Sequence, residues 1–304
     1  MEQLIQVESN IYYLDSRHSG QGVSGVYFVV GEGLTLIETS TSLMAKHILE
    51  AVHDIGFEEK DVKRAIVTHI HLDHSGAAGW LVNRLPHLQV YVHERGLRHL
   101  NDPSKLIESA KILYGDLDSI NALHGEILPV PAKNLISITD EELDIGEGIT
   151  LKTFDAPGHA PHHMGIFEPQ SGCLFTGEAL GHYNPDNNTL KPAATPPSFD
   201  FEAAKNTIRK IEHFGPRTIC FSQFGQHRDP DYVIEQSLQQ LDYFHEFIKI
   251  RFDQGLNTSE IIRDITNDLS KGNNVKMSPT DNIFLSIVLG FETYFRRRGE
   301  VRRP

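Results

Sequence analysis

With 304 residues, 39% hydrophobic side chains, 24 glycines and 15 prolines, the chain suits one large globular domain or one domain with an appendage. Its net charge of −13 is uneven: Arg296 to Pro304 carry five arginines and one glutamate, or +4, leaving −17 elsewhere, which argues against a broad nucleic-acid surface. No run approaches the roughly 18 apolar residues of a membrane span, and Met1-Glu2-Gln3-Leu4-Ile5-Gln6 lacks the basic segment and apolar core of a secretory signal. Cys173 and Cys220 lie in apolar strand-like runs and read as buried small hydrophobes, not a disulfide framework, so a reducing, cytoplasmic setting is expected. The arginine-rich tail reads as a solvated helix end.

Residues 1–39 read as a β-meander. Asn10–Asp15, Val26–Val30 and Leu34–Glu38 are strand-like, with Gly31-Glu32-Gly33 as a hairpin signal. Ser42 is positioned to cap a helix from Leu43 to about Ile55, stopped by Gly56. Arg64–Thr68 is short, β-branched and apolar, as a buried strand requires. A helix near 77–85, a strand at Gln89–Val92, a helix near 94–100 and a further helix opened by Asp102-Pro103 complete a β-α-β-α order, which signals layered α/β architecture. Strands return at 135–138, 142–145, 149–154, 164–167 and 173–176. The Pro- and Asn-rich stretch from His182 to Ser198 has no period and reads as a long loop. Asp200 caps a helix through His213, and Arg217–Phe221 is a further strand. Beyond Asp229-Pro230 strand signals stop and helices are expected at about 231–253, 258–270 and 279–297, with Thr258 and Ser278 as caps and Pro279 in a first turn. The division expected is 1–229 and 230–304.

One stretch stands out. Thr68-His69-Ile70-His71-Leu72-Asp73-His74-Ser75-Gly76 places three imidazoles and a carboxylate within six residues, on a turn from a strand into a helix. His69 and His71 are two apart, so at a strand end they point the same way. Imidazole nitrogen with carboxylate oxygen suits zinc, iron or manganese. Asp73 and His74 follow at the bend, where they can serve a second ion. Other strands also end in candidate ligands, at His159, Glu178 and Gln223.

These segments resemble the metallo-β-lactamase-fold superfamily of metallohydrolases over about residues 5–228. Its H-x-H-x-D-H motif stands as His69 to His74, its Pro-Gly-His as Pro157-Gly158-His159, its Phe-Thr-Gly-Asp as Phe175-Thr176-Gly177-Glu178, and its last His-containing turn falls on Ser222-Gln223-Phe224-Gly225. The resemblance implies an α/β fold, a four-layer αββα sandwich with its metals at one edge, here with a C-terminal helical extension. It implies His69, His71 and His159 as ligands of a first metal, with Asp73 and His74 belonging to a second. In the family a bridging Asp joins the two sites and a final His completes the second. This chain departs there, with Glu178 and Gln223, and it carries Glu38 where the family commonly has a supporting Asp. An amide oxygen is a poor zinc ligand beside imidazole, so one ion or two is left open. His227, four residues past Gln223, is a substitute ligand or an exposed loop histidine. His162 and His163 are partners for the ligands or the start of the next strand.

The function expected is a metal-dependent hydrolase acting on a small ester, thioester or lactone through a metal-activated water. Asp73 orients that water or takes its proton, and Tyr183 or His182 assists at the oxyanion. The helical tail resembles the one on the quorum-signal thioesterase branch, where it covers the pocket. The alternative is a metal-containing binding or regulatory protein of the same fold with little turnover. Partners expected are a small molecule, no nucleic acid and no membrane. A homodimer through the apolar faces of the last helices is compatible with the sequence.

Overall fold

Alternate residues of each strand face opposite ways, and that alternation builds the layers. The computed structural model describes residues 4–16, 24–185, 187–272 and 282–300. A seven-stranded sheet runs in spatial order β1 (Leu4–Glu8), β2 (Ile11–Leu14), β3 (Val26–Gly31), β4 (Gly33–Ile37), β5 (Val62–Ile66), β6 (Gln89–Val92) and β7 (Leu135–Ser137). Its first four strands pair antiparallel and the remaining pairings are parallel. The parallel crossovers carry α1 (Ala45–Asp54), then α2 (Leu72–Ser75) and α3 (Ala78–Arg84), then α4 (Glu94–Asn101), α5 (Ser104–Tyr114) and α6 (Leu117–His124).

The second sheet is built from β8 (Glu142–Asp144), β9 (Thr150–Asp155), β10 (Met164–Glu168), β11 (Cys173–Gly177), β14 (Thr218–Phe221) and β15 (Gly225–His227), in the order β15-β14-β11-β10-β9-β8. Between β11 and β14 come a hairpin of β12 (His182–Asn184) and β13 (Thr189–Lys191) and then α7 (Phe201–Glu212). The chain closes with α8 (Pro230–Asp253), α9 (Thr258–Gly272) and α10 (Asn282–Arg297).

Three apolar layers follow from this order. Tyr13, Tyr27 and Val29 meet Leu151, Ile166 and Phe175 between the sheets. On the outer face of the first sheet, Val26 and Phe28 pack with Ile48, Leu81 and Val90. On the outer face of the second, Phe154, Leu174 and Ile219 pack with Ile208, Phe244 and Phe291. The αββα sandwich with C-terminal helices is therefore the observed fold. Cys173 and Cys220 are free and buried between the sheets. Among the described residues no helix is long and apolar enough to cross a membrane.

Several local expectations are refined. Ser42 does not cap a helix: a 3-10 turn, Ser42–Met44, precedes α1, and the Ser42 hydroxyl is directed to the carbonyls of Gly76 (2.9 Å) and Glu126 (2.6 Å). Asp200 caps as expected, accepting from Ala203 N (3.0 Å), and Asp229 caps α8, accepting from Tyr232 N (3.1 Å). The 182–198 stretch is not all loop. Tyr183 and Leu190, directly paired across β12 and β13, turn the same way into the outer core, and three-residue strands are too short to show a period. β1, α6 and β15 were not anticipated. The expected cap Ser278 and the first-position Pro279 lie outside the described residues.

The last helix docks through a missing side chain. A Cβ on Gly290 of α10 would lie 2.3 Å from the carbonyl oxygen of Ala194, so only glycine permits this approach. Gly290→Ala is expected to cost about 1–3 kcal/mol, the usual range for overpacking. A urea unfolding midpoint equal to that of the unmodified protein would contradict this.

Candidate metal centre

β5 ends at Ile66, and the bend that follows carries His69 and His71 into the edge of the sandwich before α2 turns Asp73 and His74 inward. His159 arrives from the loop after β9. Glu178 follows β11, and Gln223 sits in the turn between β14 and β15. The structure thus brings together His69, His71, Asp73, His74, His159, Glu178 and Gln223, and leaves His227 outside.

Three imidazole nitrogens converge. His69 Nε2 lies 3.1 Å from His71 Nδ1 and 3.2 Å from His159 Nε2, which is 2.8 Å from His71 Nδ1. The Glu178 carboxylate adds Oε2 at 2.8 Å from His159 Nε2 and 3.6 Å from His69 Nε2. The ring protons are assigned elsewhere. Thr68 donates its hydroxyl hydrogen to Glu38, so its oxygen accepts from His69 Nδ1 at 3.0 Å. His159 Nδ1 donates to the carbonyl of Ala193 at 2.8 Å. At most one proton, on His71 Nδ1, is left among three nitrogens in mutual contact. Lone pairs aimed at one another need a cation between them, and three nitrogens with one carboxylate oxygen make a four-ligand set of the kind zinc takes. These residues fit a metal.

Burial, with neighbouring imidazoles adding to it, pushes His71 down to about 3 and His69 well below the ordinary histidine range. Both are neutral at neutral pH with lone pairs free. Burial alone would raise Glu178, but His159 and His182 outweigh it and hold the carboxyl well below its ordinary value. His163 supports the same residue, its Nε2 accepting from Glu178 N at 3.1 Å. Gly177 is required here: its φ is +54°, and a Cβ would lie 2.5 Å from His163 Nε2 and 2.6 Å from Thr68 Oγ1.

Asp73, His74 and Glu178 form a second, overlapping group. His74 Nε2 is 3.3 Å from Asp73 Oδ2 and 3.9 Å from Glu178 Oε2. Its Nδ1 is 3.0 Å from Glu38 Oε1. Burial pulls His74 down, yet the carboxylates of Asp73 and Glu38 win and hold it well above its ordinary value. Burial likewise would raise Asp73, and His74 outweighs it, leaving the carboxyl ionised.

Gln223 faces this group with its nitrogen. Nε2 donates to Glu178 Oε1 (2.9 Å) and reaches Asp73 Oδ2 (3.4 Å), while Oε1 accepts from His182 Nδ1 (2.9 Å). Turning the amide over would set its oxygen against two carboxylates. Where a further ligand needs a lone pair, the chain presents an N–H.

Other candidates are placed elsewhere. Tyr183 stacks on Phe221 at 5.2 Å and its hydroxyl donates to Asn188 Oδ1 at 3.1 Å, so its recorded contacts turn it to the outer core and not to the ligands. His227 does not stand in for a ligand: its Nδ1 accepts from Asp229 N at 3.1 Å and its ring meets Tyr183 and Tyr232. His162 lies with its ring 5.8 Å from that of His71. Sequence reasoning missed Thr68, which links Glu38 to the adjacent His69, and Ser222 and the Ala193 carbonyl, which act across long sequence separations.

Two outcomes follow. His69, His71, His162 and His163 are all held below the unfolded value of about 6.5, with His162 down to about 2. The unfolded chain therefore takes up more protons as pH falls from about 6.5 toward 3, and the metal-free protein loses stability over that window. His74 works in the opposite sense but is one group against four. The urea midpoint of chelator-treated protein is expected to fall between pH 7.5 and 5.5, and a rise would contradict the assignment. Thr68→Val removes the acceptor that holds His69 and is expected to weaken metal binding by about 10–100-fold in a competition titration.

The geometry has counterparts. A model of the metallo-beta-lactamase superfamily matches residues 19–223. YobT of Bacillus subtilis is 29% identical over 148 residues, 48% of this chain and 57% of that protein. The N-acyl homoserine lactonase AttM of Azorhizobium caulinodans is 33% identical over 140 residues, 44% of this chain and 48% of that one. The match thus spans about half the length of each of these relatives. A solved beta-lactamase domain protein from Burkholderia ambifaria has the same fold at 16% identity, with a TM-score of 0.70 over 99% of this chain and 90% of that one. With two thirds of its length matched by the family model, this chain belongs to the metallo-beta-lactamase superfamily.

Proposed function

We propose that the protein is a metal-dependent hydrolase of a small ester, thioester or lactone. The observation that carries this is the convergence of three imidazole nitrogens, at least two of them without a proton, and the Glu178 carboxylate beside the ionised Asp73. Superfamily members are mostly metal-dependent hydrolases, and a lactonase is among the relatives. In this reading His69, His71, His159 and Glu178 hold one ion, zinc by its nitrogen-rich donor set, with iron or manganese as alternatives. When bound, such an ion supplies a Lewis acid for the carbonyl and a water of lowered pKa. Asp73, whose side chain is 17% exposed, accepts the proton of the attacking water. Gln223 keeps that carboxylate oriented from one side and His74 from the other. His182, within reach of Glu178 and Gln223, borders the same pocket.

We further propose that residues 1–229 carry the chemistry and that 230–304 back it. Ser237 and Leu241 of α8 line a cavity of about 20 Å³ together with His159, Glu178 and Ala193. Metal-loaded protein is expected to hydrolyse at least one of an ester, a thioester and a lactone series. Inactivity toward all three with an occupied site would sink the assignment.

A second reading, a metal-containing binding or regulatory protein with little turnover, draws on Gln223. Its amide ties Asp73, Glu178 and His182 into one hydrogen-bonded set. Protein purified without added metal is expected to hold one equivalent per chain, and Gln223→His to hold two with a large gain in rate. Two equivalents in the unmodified protein would refute the single-ion assignment. No gain in rate on Gln223→His, with a ligand bound tightly, would favour the binding reading.

A further inference from the structure

The excursion between β6 and β7 places two polar groups near the metal centre that the hydrolytic reading does not use. His124, the last residue of α6, is 3% exposed, and neither of its ring nitrogens has a hydrogen-bond partner. Tyr114, the last residue of α5, meets its ring edge-on at 4.9 Å. Both lie within electrostatic reach of the centre. Burial lowers His124, with Asp73 acting against it, and burial raises Tyr114, with Asp73 and Glu178 adding to the effect. Tyr114 is therefore a hydroxyl donor and His124 a neutral ring.

The hairpin of α5 and α6 is anchored at one end. The Ser42 hydroxyl lies against both Gly76 O, beside the ligand turn, and Glu126 O, just past His124. Its other end is more exposed: α5 has no fully buried residue, although Leu106 packs against the core, and Ile112 and Leu117 are exposed at the tip. A buried imidazole with two unpaired nitrogens is costly, and a ligand that pairs them relieves that cost.

We propose that Tyr114 and His124 form a polar subsite of the hydrolytic centre, one that holds a hydroxyl or amide on the acyl side of a neutral ester or lactone. The inference rests on the hydrolase reading above. A neutral imidazole offers one donor and one acceptor and Tyr114 adds a donor, so the matching group must both give and accept a hydrogen bond. Carboxylates and phosphates only accept, and they meet the carboxylates of Asp73 and Glu178. The α5 lysines do not offset this, since Lys111 pairs with Glu108 at 2.7 Å and Lys105 is exposed. A plain alkyl chain leaves His124 unpaired.

The test compares p-nitrophenyl 3-hydroxybutanoate with p-nitrophenyl butanoate on the metal-loaded full chain. The unmodified protein is expected to favour the hydroxylated ester by about tenfold in kcat/KM, mostly through KM, as one neutral hydrogen bond allows. Tyr114→Phe and His124→Ala each bring the ratio to about one, while Lys111→Ala, on the outer surface, keeps it. If His124→Ala does not fold, Tyr114→Phe carries the same comparison. A ratio of one in the unmodified protein, or a ratio unchanged in Tyr114→Phe, overturns the subsite, and a resident water on His124 gives that result. Calorimetry with the two corresponding anilides separates the readings. A hydroxyl preference lost in Tyr114→Phe, with neither ester turned over, supports the subsite and counts against the hydrolase. Equal binding of both anilides overturns the subsite whatever the turnover.

Discussion

The metal edge depends on one buried carboxylate. Glu38 is fully buried at the end of β4, in the left-handed region at φ +69°, a conformation that a glutamate adopts only where its surroundings compel it. It receives Thr68 N at 3.1 Å, the Thr68 hydroxyl, His74 Nδ1 at 3.0 Å and the Ser222 hydroxyl at 2.8 Å. Because Thr68 spends its hydrogen on Glu38, His69 must place its proton on Nδ1 and present a bare Nε2. The tautomer of His69 is thereby decided by Glu38 acting through Thr68. Buried polar networks of this kind tolerate no missing partner, which is why both sheets contribute to it.

Charge placement around the cluster follows from the same economy. Asp73, Glu38 and Glu178 bring anions into a site without a lysine or arginine partner in their recorded contacts, and the histidines are left to answer them. His74 answers by gaining a proton, held between Asp73 and Glu38. His69 and His71 cannot, because burial and the neighbouring imidazoles keep them neutral. The resulting imbalance, negative at Glu178 and electron-rich at three nitrogens, is what a cation relieves. The longer reach of glutamate over the aspartate usual in the family sets its Oε2 against His159, while Oε1 stays with Gln223 and His182.

Much of this was legible in the sequence, and the reasons differ by element. His69 to His74 is local and dense, so the spacing declared it. The layers were readable from two-residue alternation, as in Val26-Tyr27-Phe28-Val29, whose side chains divide between two cores. The hairpin hidden in 182–198 was not readable, because strands of three residues joined near Asn188 carry no period. Tyr183 looked like a pocket residue by its position after Glu178, yet the pairing of β12 with β13 turns it toward Phe221. His163, Ser222 and the Ala193 carbonyl act through contacts that close only when the sheets meet. Gln223 was readable as a poor ligand. That its nitrogen, not its oxygen, faces the carboxylates depends on His182, which no local pattern links to it.

The backbone of the turn that carries Gln223 is held by its neighbours. The hydroxyl of Tyr27, from between the sheets, lies 2.8 Å from the carbonyl of Phe221 and 2.9 Å from that of Gly225. Gly25 N donates to Ser222 O at 2.7 Å, and the Ser222 hydroxyl goes to Glu38. None of these bonds involves the side chain at position 223. The turn is a socket: the interior fixes where its Cβ points, and whichever residue stands there is presented at the same spot. The backbone bonds that hold this edge are consequently independent of the residue at 223, so a substitution there leaves the edge of the sandwich in place.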